Sequence, residues 1–374
     1  MNIIYFGKYT LNNFHASAGA KRVLNQIKYL EKQNRIKVIS ISKHKSSYKY
    51  NINFKRFDNK LLQLLFMPLY WFVICVLLIT YRQKGKNIIL LESIVELNFS
   101  IPILFCRILG YKIIHDVVEN FFIQNIETSK TKFGNSFVSR FFYRYTSILT
   151  DGIIVISENL YRLYSEFHKP LIKIYNSIEI KDVDYKRNPR NKDFTFLYSG
   201  TFGTKDGVKD LILAFNQIST DNFNLKLVLT GVNKSKYFYE CMDLMKNNNK
   251  INYLGYLSEE NLQKEYQNAD VLIVTRDNSL FADYGFPYKL SEYLTFKKPV
   301  ISSSVSDIPL LFTDYIDILF TEPSNVDSII EKMKFSIKHQ SELEQLSLNG
   351  YKKAEEYFSI YKNGKVLYDF LLKI

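Results

Sequence analysis

Short apolar runs alternate with stretches whose apolar residues recur every three or four positions, and this rhythm fills most of the chain. Residues 2–6, 37–42, 88–91, 112–115 and 152–156 read as strands. Between 20 and 34, Val23, Leu24, Ile27 and Leu30 fall at helical spacing while Lys21, Arg22, Lys28 and Lys32 stay off that stripe, which predicts a helix with a basic outer face. The rhythm restarts after residue 193, with strands expected at 194–198, 225–229, 251–254, 271–274, 299–302 and 318–320. Strand and helix in alternation predict an α/β chain with parallel sheets, and two such series predict two Rossmann-like domains. The stretch between them, KDVDYKRNPRNKD at 181–193, is charged, contains Pro189 and has almost no apolar residue, as an interdomain linker should. The expected organisation is a first domain at 1–180, the linker, a second domain at 194–350, and a closing helix at 351–374 that is a candidate to pack back on the first domain. A length of 374 residues suits two mid-sized domains.

Composition narrows the class. Hydrophobic residues make up 47% and charged residues 23%, enough to build real cores and too apolar for a disordered polyelectrolyte. The three cysteines, Cys75, Cys106 and Cys241, stand far apart in no zinc-like spacing, so no metal site and no disulfide framework is expected, and a reduced, cytoplasmic setting fits. The start, MNIIYFGKYT, lacks the pattern of a secretory signal and reads as a strand.

The net charge of +13 is unevenly spread. Residues 1–190 hold 29 Lys and Arg against 13 Asp and Glu, whereas residues 191–374 hold 21 against 24. The first half therefore projects a positive field that suits an anionic lipid surface; general solubility is the plainer reading of the same charge. No helix-turn-helix, RNP-like or finger pattern accompanies it, so nucleic acid is not an expected partner. Leu61–Tyr81 carries no charge over 21 residues and is bracketed by Lys55, Arg56 and Lys60 before it and Arg82, Lys84 and Lys86 after. By length it could span a bilayer. A single crossing would separate residues 1–60 from the strand that follows at 88–91, and Pro68 interrupts the run, so three readings stand: a core helix, a helix resting at the membrane face, and a span.

In parallel α/β sheets ligands bind at the carboxyl ends of the strands, and two such sheets can hold one substrate on each side of a cleft. Two stretches sit there. In YSGTFGTKDG, residues 198–207, a strand runs into a loop with Gly200, Gly203 and Gly207 before an apolar helix, an arrangement in which backbone amides can approach a phosphate; an empty tight turn is the plainer alternative. Lys205 and Lys209 are candidate point charges for a diphosphate. In FADYGFPYKLSEYLTFKKPVIS, residues 281–302, Gly285 and Pro287 shape a loop, and Glu292 lies in the first turns of the next helix, where a carboxylate can accept two ribose hydroxyls or simply complement the helix dipole.

The segment PYKLSEYLTFKKPVI resembles the P-x-K-L-x-E-Y-L/M-x-x-x-K-P-V-I signature of retaining GT-B glycosyltransferases of family 4, the glycosyl transferases group 1 type. Other landmarks follow that family's order: GIIVISENL with KIYNSIEI, YSGTFG, LVLTG, and INYLGYLSEENLQKEYQNADVLIV. The match is good over residues 152–338 and loose before them.

The resemblance implies two Rossmann-like domains facing across a cleft. It also implies transfer of a sugar from a nucleotide-sugar donor, held by the second domain, to a hydroxyl acceptor held by the first, with no metal or other cofactor. It makes Glu292 the ribose-binding glutamate. Gly285 and Phe286 form the loop near the phosphates or sugar, Gly19 is an N-terminal glycine turn facing the phosphates, and His115, Asp116 and nearby Glu119 form a polar cluster opposite the transferred sugar. On the residues alone, His115 can equally be a strand-end residue and Asp116 a helix N-cap. The sequence departs from the family where a second glutamate would stand at Tyr284, and where the usual Arg and Lys of the donor loop fall on Thr201 and Asp206. Lys205, Lys209, Arg276 and Lys289 are left as phosphate partners. Joined to the basic first half, these readings give the expected function: a cytoplasmic enzyme, peripheral at the membrane, that extends a lipid-linked glycan in surface-polysaccharide or O-antigen assembly. A sugar-nucleotide epimerase, a phosphorylase and a non-catalytic nucleotide-sugar-binding protein are its rivals.

Overall fold

The computed structural model describes residues 1–374 apart from 8–16, 43–50, 56, 58, 93–96, 120–133, 182, 184–192, 220–223 and 232–234, and the side chains at 41, 42, 51, 60, 97–99, 134–140 and 142. Most of the expected linker, and the flanking cations at Arg56 and Lys60, lie outside what is described. The chain forms two compact units: unit 1 comprises Met1–Ser177 with Ile360–Ile374, and unit 2 is Ile178–Ser359.

Among the described residues, unit 1 is built on seven strands, β1 Asn2–Gly7, β2 Arg35–Ser42, β3 Asn51–Lys55, β4 Asn87–Glu92, β5 Lys112–Val117, β6 Gly152–Val155 and β7 Leu171–Lys173, in the order β3-β2-β1-β4-β5-β6-β7. Every pairing is parallel. Residues that alternate along a strand point to opposite faces, and here both faces are covered. Ile3, Tyr5, Val38, Leu90 and Ile114 pack under helix α1 (Ala18–Leu30) through its Val23, Ile27 and Leu30. Ile4, Phe6, Ile39, Ile89 and Ile113 pack on the other face under α2 (Lys60–Tyr81) and α3 (Leu97–Ile108), with α4 (Gly134–Leu149) alongside. Helix α5 (Glu158–Ser165) follows β6, its N-cap Ser157 accepting from Leu160 N–H at 3.3 Å. The edge strands β3 and β7, NINFK and LIK, carry no apolar run that would announce them.

Helix α2 is apolar all round but buried on one side only. Met67, Tyr70, Ile74 and Leu78 form the inner stripe, with the Tyr70 hydroxyl donating to the Lys55 carbonyl at 2.9 Å and Tyr111 donating to the Leu78 carbonyl at 2.8 Å. The residues on the opposite side, Leu61, Leu65 and Phe72 among them, are exposed, so the plain core-helix reading does not hold.

Among its described residues unit 2 has six strands, β8 Phe194–Ser199, β9 Leu225–Thr230, β10 Ile251–Tyr253, β11 Val271–Val274, β12 Val300–Ser303 and β13 Leu319–Thr321, ordered β10-β9-β8-β11-β12-β13 and parallel throughout. A 3-10 turn (Thr204–Asp206) leads into α6 (Val208–Ile218). The remaining helices are α7 (Lys236–Met245), α8 (Glu259–Asn268), α9 (Leu280–Tyr284), α10 (Tyr288–Leu294), α11 (Ile308–Leu311), α12 (Val326–Lys338) and α13 (Leu343–Tyr357). Its core is rich in aromatics, with the Phe202 ring edge-on to Phe238 and Tyr253 at 5.3 and 5.8 Å.

Residues 351–374 are not one helix. Helix α13 ends at Tyr357, Phe358 is buried in unit 2 against Phe286 and Phe312, and α14 (Ile360–Lys373) belongs to unit 1. There Leu367, Phe370 and Leu371 join the α1 side of the core, Gly364 lies flat on the Tyr29 ring, and Gly152 makes room for Phe370 and Ile374. In a free helix Ala outperforms Gly by about 1 kcal/mol. At position 364 a Cβ would overlap the base of the Tyr29 ring. Gly364→Ala is therefore expected to destabilise the protein by about 1–3 kcal/mol in chemical denaturation; a variant at or above wild-type stability would contradict this packing.

Candidate functional site

Three neighbouring strands of unit 2 end in glycines that no side chain could replace without strain. Gly200 follows β8 with φ +149°, Gly231 follows β9 with φ +134°, and Gly255 follows β10 with φ +66°. Gly200 N–H donates to the Thr230 carbonyl at 3.0 Å, and Gly231 N–H donates to the Gly255 carbonyl at 2.8 Å. A Cβ on Gly231 would overlap the Gly200 carbonyl oxygen. The backbone of the loop after β8 is thus fixed by its neighbours as well as by its own sequence.

That loop closes on Asp206. The Thr201 hydroxyl donates to Asp206 Oδ2 at 2.9 Å and Gly203 N–H to the same atom at 3.3 Å. Lys289 Nζ stands 3.4 Å and Arg276 3.8 Å from Asp206 Oδ1. Lys289 reaches in from the start of α10, donating to the Tyr198 hydroxyl at 2.7 Å, lying over its ring at 4.1 Å and filling the space that a Cβ on Gly200 would need. Burial works to raise the Asp206 carboxyl, but Lys289, Arg276 and Lys205, with the Thr201 hydroxyl, hold it below the usual carboxylate range. Burial, helped by Arg276 and Lys205, brings Lys289 down to about 8 against the pull of Asp206. Three cations act on one carboxylate, so the loop keeps positive charge.

Glu292, one turn further along α10, joins the same loop through hydroxyls. Tyr266 on α8 donates to Glu292 Oε2 at 3.3 Å and shares a 2.6 Å hydrogen bond with Ser199 Oγ, while Ser199 N–H donates to the Tyr293 hydroxyl at 2.8 Å. Tyr266 and Tyr293 are fully buried, and burial pushes both hydroxyls far above the ordinary tyrosine range, so they stay protonated. Ser199, Tyr266 and Tyr293 were not expected in this role; their hydroxyls carry no spacing signal and gain it only from the fold.

The other expected donor residues divide. Lys205 lies over the Phe281 ring at 4.0 Å beside the Asp206 cluster. Lys209 is instead paired with Glu240 on α7 at 3.3 Å. The Phe286 ring is buried against Phe358 at 5.5 Å, which leaves only its backbone for a ligand. Tyr284 closes α9 and Gly285 follows it with an ordinary φ of −90°.

In unit 1, His115 and Asp116 do not form one cluster, because adjacent strand residues point to opposite faces. His115 is buried edge-on to Tyr164 at 5.8 Å. Asp116 faces α1, where Arg22 Nε and Nη2 bind its two oxygens at 3.2 and 3.0 Å and Gln26 donates at 2.9 Å. Arg22 also donates to the Ile174 and Tyr175 carbonyls at 3.1 and 2.8 Å, which completes a buried structural pair. Asp116 lies within β5, so the N-cap reading fails as well. The acid that the sequence reading missed is Glu92, level with Asp116 across β4 and β5 and pressed against Gly19 in the first turn of α1. Desolvation, with the charges of Asp116 and Glu119 outweighing that of Arg22, raises it to about 8.

The glycine ladder yields a direct comparison. Gly231→Ala adds overlap with backbone to a strained φ, whereas Gly255→Ala adds a Cβ that meets nothing within 4 Å. The first is expected to cost several kcal/mol and the second about 1. Equal shifts in thermal unfolding would show that the Gly200–Gly231 approach does not set the loop.

Residues 180–353 match the family described as glycosyl transferases group 1. Over 220 residues the chain is 27% identical to an uncharacterized glycosyltransferase of Methanocaldococcus jannaschii, a match that covers 58% of this chain and 58% of that relative. The chain thus spans little more than half the length of the curated relative it matches. Sucrose-phosphate synthase from Thermosynechococcus elongatus is similar in structure with a TM-score of 0.79 at 12% identity, covering 100% of this chain and 99% of its own. The Anabaena protein HepE in complex with UDP-glucose gives 0.76 at 14% identity with both chains covered fully. At those identities the likeness is one of fold, the two-domain GT-B architecture of parallel-sheet α/β units. The residues that match the glycosyl transferases group 1 family thus fall within unit 2.

Proposed function

We propose that the protein is a glycosyltransferase that moves a hexosyl group from a nucleoside-diphosphate sugar to a hydroxyl of a lipid-linked glycan, with retention, in the manner of family 4 and in the service of surface-polysaccharide or O-antigen assembly. The observation that carries this reading is that Glu292, through Tyr266 and Ser199, and Lys289, through Tyr198 and Asp206, converge on the loop around Gly200 within unit 2. A carboxylate that accepts two ribose hydroxyls, beside a glycine loop and several cations, is what a nucleotide diphosphate needs. The UDP-glucose bound by the Anabaena neighbour makes a uridine nucleotide the first donor to try.

In this reading the bond between the anomeric carbon and the diphosphate oxygen breaks while the acceptor oxygen bonds to the same face of that carbon. The departing phosphate oxygen takes the acceptor proton. Negative charge grows on the leaving diphosphate, and in this reading Lys289, Arg276 and Lys205, gathered around Asp206, meet it with little reorganisation of solvent as the charge develops. Unit 1 holds the acceptor, with half-buried Glu92 beside Gly19 as the acid available to a sugar hydroxyl.

Glu292→Gln keeps the shape of the side chain and removes its charge. It is expected to lower kcat/KM with UDP-glucose by about 10- to 100-fold at unchanged melting temperature, the usual worth of charge-assisted hydrogen bonds; transfer within threefold of wild type would remove Glu292 from the donor site. Loss of donor sugar without an acceptor, or a product of inverted configuration by NMR, would overturn the transfer reading itself. A second measurement follows Lys289. Its ammonium is cationic below about 8 and neutral above it, and only the cation pairs with a diphosphate. UDP affinity is expected to weaken as pH rises past 8, approaching about tenfold per unit, and Lys289→Arg, which stays charged, should flatten that slope. A wild-type affinity unchanged between pH 7 and 9.5 would exclude Lys289 as a phosphate partner.

A further inference from the structure

Helix α2 shows the surroundings a second apolar stripe, on the side away from the sheet. Leu61, Leu65, Leu69, Phe72, Val76 and Ile79 follow one another at intervals of three and four residues, and all are exposed, Leu61 by 75% and Phe72 by 68%. The neighbouring helices on the same sheet face do likewise. On α3, Ile101, Leu104 and Ile108 are exposed at helical spacing, and on α4, Phe141 and Ile148 are exposed two turns apart. The three helices are tied side by side: Arg82 at the end of α2 donates to the Leu109 carbonyl at 2.8 Å, Tyr145 on α4 donates to the Ser100 carbonyl at 3.0 Å, and Arg107 on α3 donates to the Leu149 carbonyl at 3.2 Å. A soluble surface scatters its exposed leucines singly; here they stand in stripes on α2 and α3, joined on α4 by Phe141 and Ile148 to either side of exposed Arg144.

Charge surrounds these stripes without entering the longest of them. No charged residue lies between Lys60 and Arg82. Arg82, Lys84, Arg107 and Lys112, all exposed, gather where α2 and α3 end. The acid among them, Asp151, is shared between Arg107 at 2.9 Å and Lys112 at 3.5 Å, so the rim remains positive.

We propose that the outer faces of α2, α3 and α4 form a monotopic docking surface for an anionic phospholipid leaflet. The apolar stripes sink to the level of the acyl chains, and the cationic rim meets lipid phosphates. A transmembrane course is excluded by the inner stripe, since taking α2 off the sheet would bare Ile4, Phe6, Ile39, Ile89 and Ile113. A second copy of the chain is the poorer occupant, because a symmetric contact would set one cationic rim against another. The inference deepens the acceptor half of the proposed function and rests on it for its purpose. Vesicle binding is nevertheless measured without any sugar transfer, so either can fail alone.

The sole tryptophan, Trp71, lies on α2 beside exposed Phe72 and reports directly on this surface. With the full chain, vesicles of mixed phosphatidylglycerol and phosphatidylcholine are expected to shift Trp71 emission to the blue and, when acyl chains are brominated, to quench it. Pure phosphatidylcholine or high salt should weaken binding by about tenfold or more. Leu65→Glu with Phe72→Glu alters only exposed positions and should abolish vesicle binding while UDP binding and far-UV circular dichroism stay as in wild type. The proposal is overturned if the wild-type chain ignores anionic vesicles, if the double variant binds them equally, if light scattering shows the stripes instead closing a stable dimer, or if the chain resists alkaline carbonate extraction as a span would.

Discussion

The hydroxyl of Tyr266 is where the candidate site of unit 2 is held in register. It reaches Ser199 at the end of β8 on one side and the Glu292 carboxylate on α10 on the other. Helix α10 is only two turns long and would by itself fix the direction of Glu292 poorly. The second link, from Ser199 to Tyr293, anchors the same helix one residue further on. Each such bond contributes about 1 kcal/mol net. Their larger effect is geometric, because buried tyrosines that cannot ionise act only as neutral hydroxyls and keep one arrangement over the working pH range.

The glycine loop uses charge to the same end. Where related enzymes are expected to carry Arg and Lys, Thr201 and Asp206 hydrogen-bond to each other, and the positive charge arrives instead from Arg276 after β11 and Lys289 on α10. The carboxylate that looks like a loss in the sequence thus becomes the fixed point around which the cations gather. Arg22 and Asp116 do the corresponding work in unit 1, joining α1 to β5 and to the chain after β7.

What could be read from the chain beforehand follows from what each signal needs. Strands buried on both faces, such as IIYFG and GIIV, must be apolar throughout and so declare themselves, whereas the edge strands β3 and β7 need only one neighbour and stayed hidden. Gly200 at the end of β8 and the place of Glu292 in the first turns of a helix were legible because backbone freedom and helix position constrain residue type, whereas Gly231 and Gly255 were not singled out. The partners of Asp206, the burial of Phe286 and the pairing of Lys209 with Glu240 were not, since ion pairs between distant segments leave no local pattern. His115 and Asp116 looked like one cluster because adjacency in sequence hides the two-residue period of a strand.

Helix α14 carries a consequence for how the chain is made. Leu367, Phe370 and Leu371 complete a cluster that begins with Ile3 and Tyr5, and all of unit 2 lies between them in the sequence. A nascent chain leaving the ribosome can finish the second Rossmann-like lobe before the first has received its last helix. Until then the flank of α1 around Tyr29 stands open, and the early lobe must wait, half assembled, in the care of chaperones or of its own collapsed core.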